Sequence, residues 1–118
     1  MNEKMVELND QLKNVSEEIF SVTKEKRKLL KVENELHSLS RQKDRLFQDL
    51  KQCWKHGEMS FAVQDTDQEL KRRQRNIIQS LEDEITSLNK KTRALEEKAS
   101  ELRYKMRLLT EANDEEPH

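Results

Sequence analysis

Apolar residues recur along the first half of the chain in alternating steps of three and four: Met5, Leu8, Leu12, Val15, Ile19 and Val22. Lys26 interrupts the series. It resumes at Leu29, Val32, Leu36 and Leu39, passes over Lys43, and continues through Leu46, Leu50 and Cys53. Resumption on a three-residue step at Leu29 predicts a shift of heptad phase, as a stammer or stutter produces. A second seam runs through Leu70, Ile77, Leu81, Ile85, Leu88, Leu95, Ala99, Leu102, Met106 and Leu109, with Gln74 and Thr92 as polar occupants. Seams sustained over several heptads predict long helices packed as in coiled coils, and no strand-type alternation competes with them.

Between the seams, from about Lys55 to Gln68, the periodicity lapses. Gly57 stands near the centre, with 56 residues before it and 61 after it. Glycine adopts φ > 0 without steric cost and ends a helix well. Thr66 followed by Glu69 has the spacing of a capping box, with Ser60 as a rival helix start. The expected architecture is all-α: a long antiparallel two-helix hairpin forming one structural unit over 1–118. Helix 1 is expected over about 3–55, the bend over about 56–65, helix 2 over about 66–111, and a frayed acidic tail over 112–118. At 1.5 Å per residue, an arm of about 50 residues is roughly 75 Å long. The competing arrangement is one continuous rod in a parallel coiled-coil dimer.

Composition narrows the function. Charged residues make up 40% of the chain, apolar ones 32%, and Gly and Pro occur once each, so no wide globular core is expected. The net charge of −1 gives no electrostatic reason to expect nucleic acid as partner. The basic runs Lys24–Lys28 and Lys71–Arg75 have acidic residues nearby and heptads on both sides, which reads as solvated helix faces and not as a DNA-binding region. No apolar run exceeds three residues, so no membrane insertion is expected, and the opening "MNEKMVELND" predicts no cleaved secretory signal. One cysteine cannot form an internal disulfide, so a reducing, cytoplasmic compartment is expected, with export beside a partner left open.

Catalytic chemistry has little to draw on. No glycine-rich loop can cradle a phosphate, and carboxylates on a slender rod lack the desolvating pocket that acid–base work requires. Cys53 and His56 have half the spacing of a zinc site without the other half. The sequence predicts no enzyme, no metal and no cofactor.

More apolar residues are present than two helices can hide from each other. Val6, Phe20, Leu30, Phe47 and Trp54 flank the first seam, and Ile78, Tyr104 and Leu108 flank the second. Burial of a Leu- or Phe-sized side chain contributes about 1.5–3 kcal/mol. These flanks therefore favour further helices, from a second copy or from another protein. Phe20, Leu30, Phe47, Trp54, Phe61, Ile78 and Leu108 are the expected partner-binding residues. The polar seam residues Lys26, Glu33, Lys43 and Gln74 are expected to set register and partner choice at some cost in stability.

The centre, "LFQDLKQCWKHGEMSF", holds the only Trp, the only Gly and the only Cys. With Leu46-Phe47, Trp54, Gly57 and Phe61 between helices rich in Glu, Gln, Lys and Arg, it resembles the small helical-hairpin proteins of the Trp-x-Gly superfamily. Within that group it is similar to small accessory proteins encoded beside LXG toxins of bacterial type VII secretion systems. Here two residues, not one, separate Trp54 from Gly57. The resemblance implies an adaptor or targeting factor that binds the helical N-terminal domain of an LXG toxin, with or without a second small accessory protein. It also implies an aromatic-x-x-x-acid export motif, which Phe61 and Asp65 match. From the residues alone, a structural coiled-coil dimerisation or scaffold segment stands as the alternative.

Overall fold

A computed structural model describes residues 3–115, and these form two helices: α1, Glu3–Cys53, and α2, Glu58–Glu115. The chain is an all-α helical hairpin, the first of the two arrangements that the seams allow. Only Trp54 to Gly57 separates the helices, so the turn is tighter than the expected bend over 56–65.

Local chemistry explains how short the turn is. The amide of Trp54 donates to the carbonyl of Leu50 at 2.9 Å, which is the last helical bond of α1. The amide of Phe61 donates to the carbonyl of Gly57 at 3.3 Å, so Gly57 is the residue that opens α2. Its φ of +88° is the one positive value among the described residues. A Cβ built there meets nothing within 4 Å, so backbone conformation, and not space, calls for glycine. Glu58 then places a carboxylate at the positive end of the helix dipole. Thr66 and Glu69, expected to cap a helix start, lie well inside α2, and Glu69 pairs with Arg72 and Arg73 instead. At the other end α2 runs on to Glu115, through the first part of the expected frayed tail. No Gly or Pro interrupts Thr110–Glu115. Residues 116–118 of that tail lie outside the described residues.

Two compact units divide the hairpin. Unit 1 joins the segment of α1 up to Lys26 with α2 from Thr86 onward. Its buried core is apolar: Val15 and Val22 from α1, and Leu88, Leu95, Ala99 and Leu102 from α2. These are the predicted seam residues. Thr92 bonds back to the carbonyl of Leu88, which satisfies its hydroxyl within its own helix.

Unit 2 joins Arg27–Cys53 of α1 with Glu58–Ile85 of α2 and contains the turn. Here the shielded positions differ from the expected seam. On α1, apart from Ser38, they are Leu29, Glu33, Leu36, Ser40, Lys43, Phe47 and Leu50, each covered at least in part. This series continues the three-four alternation from Leu8 without a break, so α1 has no change of heptad phase. The three-residue step onto Leu29 follows a four-residue step from Val22 to the partly covered Lys26 and so keeps the phase, while Val32, Leu39 and Leu46, expected in the seam, are exposed. The phase drift lies on α2 instead. Toward the turn, α2 covers Val63, Asp67 and Gln74, whereas beyond it Ile78, Leu81 and Ile85 are covered and Ile77 is half exposed.

Candidate partner-binding surface

Unit 2 mixes polar and apolar side chains on both its inner and its outer positions, with Phe47 and Val63 buried beside Asp67. Polar groups stand between the helices. Lys43 Nζ donates to Gln74 Oε1 across the pair at 3.2 Å. Lys51 Nζ donates to Asp67 Oδ2 at 2.6 Å, and Lys71 Nζ approaches the same oxygen at 3.2 Å. Among the described residues Asp67 is the one buried charged residue, with its side chain 3% exposed. Its other oxygen, Oδ1, has no hydrogen-bond partner and faces the Lys43 ammonium at 4.0 Å, which Asp44 also contacts at 3.3 Å. The hydrogen bond from Lys51, supported by Lys71, holds the Asp67 carboxyl below its ordinary pKa against the opposing effect of burial. Glu69 is likewise lowered by its bonds to Arg72 and Arg73.

Apolar groups face outward. Leu39 is 59% exposed, Leu46 57%, Ile77 50% and Leu70 36%. A groove between α1 and α2 is lined by Leu36, Leu39, Ser40, Lys43, Leu70, Arg73, Gln74 and Ile77. A second hollow beside it, lined by Leu29, Asn76, Ile77, Ser80, Leu81 and Glu84, shares Ile77. The opposite character holds in a third hollow, where His37, Asp44, Lys71, Gln74 and Arg75 accompany Ile78. Unit 2 therefore has an apolar side and a charged side.

The expected partner-binding residues divide. Phe20, Leu30, Trp54, Phe61 and Leu108 are exposed. Phe47 is buried toward the turn, as is Val63. Ile78 is partly covered. In unit 1, Leu108 borders a hollow with Leu8, Leu109 and the stems of Lys4 and Lys105. Phe61 and Asp65 are both exposed and lie one helical turn apart near the start of α2. Cys53 is a free, exposed thiol at the end of α1.

The groove residues Leu39, Leu70 and Ile77 were legible in the sequence only as seam residues. Val32, Leu39 and Leu46 recur every seven residues, and so do Leu70 and Ile77. That period marks one helix face without saying which face meets the other helix. Asp67 was missed because it falls where the apolar pattern lapses. Among the described residues no group of three or more His, Cys, Asp or Glu side chains is placed to hold a metal, and no helix is long and apolar enough to cross a membrane.

A family described as "Protein of unknown function (DUF3958)" matches residues 3–109, which takes in both helices nearly whole. No curated protein and no solved structure matches the chain. The match covers far more than half of the sequence, and the chain belongs to that family.

Proposed function

We propose that this member of the DUF3958 family is a non-enzymatic adaptor or chaperone that binds the helical N-terminal domain of an LXG toxin and helps target it to the type VII secretion system. The observation that carries the binding role is the set of apolar side chains that unit 2 leaves exposed beside a partly polar seam. Polar side chains fix the pairing of α1 with α2, and leucine and isoleucine are left facing outward, where a further helix covers them. The LXG toxin as partner rests on the likeness of Leu46–Phe61 to accessory proteins encoded beside such toxins. Phe61 and Asp65 are the candidate export motif in this reading, and synthesis is cytoplasmic.

A binding role suits the carboxylates. Asp67 and Glu69 are both held below their ordinary pKa by cations, so both are ionised at neutral pH. A general acid needs the opposite perturbation.

Co-expression with the N-terminal domain of an LXG toxin, followed by size-exclusion chromatography with mass measurement, tests the reading. A stable complex of the two chains supports it. A chain that forms its own long homodimer and ignores every such domain would instead be a coiled-coil scaffold.

A further inference from the structure

The groove of unit 2 has a sign. Its floor is Leu36, Leu39, Leu70 and Ile77, and the two charged side chains that line it, Lys43 and Arg73, are both cations. No carboxylate lines it, and the carboxylates that meet Lys43 and Arg73 lie outside that lining. Asp67 is shared among Lys43, Lys51 and Lys71, Asp44 contacts Lys43, and Glu69 is shared between Arg72 and Arg73.

We infer that this groove receives one amphipathic α-helix of a different protein, with apolar residues at i, i+3 or i+4 and i+7 and carboxylates along its flanks. The inference rests on the adaptor reading and deepens it, because it assigns the docking face and the chemistry of the helix. Three features point to a helix. Val32, Leu39 and Leu46 are spaced by sevens, and so are Leu70 and Ile77, which is the spacing into which helical side chains interlock. The stretch from Val32 to Leu46 is about 21 Å long at 1.5 Å per residue, room for roughly four turns of a partner. The lining between the helices offers side chains, not the open backbone edge that an added strand would need.

Charge argues against a second copy as the occupant. In a two-fold pair the same patch faces itself, so the groove would set Lys43 and Arg73 near their own equivalents as water is expelled. Like charges juxtaposed in this way disfavour the pairing. An acidic flank turns the same two cations into attractions.

The test uses three probes: the N-terminal domain of an LXG toxin, and two synthetic helical peptides that share one leucine heptad pattern but are flanked by Glu or by Lys. Wild type should bind the Glu-flanked peptide at least about tenfold more tightly than the Lys-flanked one, with the gap narrowing as salt rises. Ile77→Asp and Leu39→Asp should weaken that binding by about tenfold or more, and Arg73→Glu should reverse the preference. Circular dichroism melts identify variants that remain folded, and all three substitutions lie at exposed positions. Equal affinity for the two peptides, binding of neither, or an unchanged preference in folded Arg73→Glu would overturn the inference. So would a homodimer that Ile77→Asp dissolves. If the toxin domain binds wild type and both aspartate variants equally, the groove assignment fails and the adaptor reading survives. If the Glu-flanked peptide binds in the groove and the toxin domain does not bind, the groove stands and the choice of toxin fails.

Discussion

Lys51 on α1 and Asp67 on α2 meet at 2.6 Å across the hairpin, and Asp67 is buried while Lys51 reaches the surface. A carboxylate in a helical seam costs desolvation unless cations and hydrogen bonds compensate it. Lys51 and Lys71 supply both, and they hold α1 and α2 in one register close to the turn. Sliding one helix by a turn would separate Lys51 from Asp67 and Lys43 from Gln74 together.

Asp67 should therefore make stability depend on acid. Its folded pKa lies below the ordinary value, chiefly because of Lys51, so its contribution is complete above the ordinary carboxylate range near about pH 4. It is lost as the pH falls through the lower folded value. Asp67→Asn should cost about 1.5 kcal/mol at neutral pH, the scale of a hydrogen bond to a charged group. Urea titrations at several pH values should show a constant gap between the two proteins from about pH 7 to about pH 5, closing below about pH 4.

Burial ranks the leucines and phenylalanines differently from their place in the heptads. Leu102→Ala, in the apolar core of unit 1, and Phe47→Ala, at the closed end of unit 2, should each cost about 3 kcal/mol. Leu39→Ala removes a side chain that is mostly exposed and should change stability by less than about 0.5 kcal/mol. Thermal melts of the three variants check the order. A large loss in Leu39→Ala at low protein concentration would show that Leu39 is packed within the hairpin.

Gly57 answers to backbone geometry. Replacement by alanine forces a side-chain-bearing residue to φ near +88° and should cost about 1–2 kcal/mol, although the added methyl has open space around it. Gly57→Asn should cost less, because asparagine tolerates the left-handed region better than alanine does. Denaturation midpoints for the two variants check the order.

Much of this architecture is legible in the sequence, and the places where it is not have physical causes. Unit 1 reads directly, since Val15, Val22, Leu88, Leu95, Ala99 and Leu102 are both the apolar positions and the buried ones. Unit 2 misleads because its seam is partly polar. Ser40, Lys43, Asp67 and Gln74 stand where leucine is expected, while Leu39 and Ile77 stand where water is expected. A heptad search follows hydrophobicity and so takes in residues of the outer face with those of the seam. The same substitution hides the start of α2, because Ser60 and Asp67 break the apolar rhythm without breaking the helix. Gly57 was recognised as the turn residue, yet it opens α2 where it was expected to end α1. A single residue with positive φ serves either end, and only its hydrogen bonds distinguish them.

Leu39 gives the most direct test of the claim that unit 2 keeps its leucines for another protein's helix. In a Cys53→Ser background, Leu39→Cys should react with a thiol reagent at nearly the rate of an unstructured peptide, independent of protein concentration. Adding the N-terminal domain of an LXG toxin should slow that reaction by about tenfold or more, as burial of the thiol under a docked helix requires. An introduced thiol already protected in the isolated Leu39→Cys chain, with protection growing as the chain is concentrated, would contradict the account.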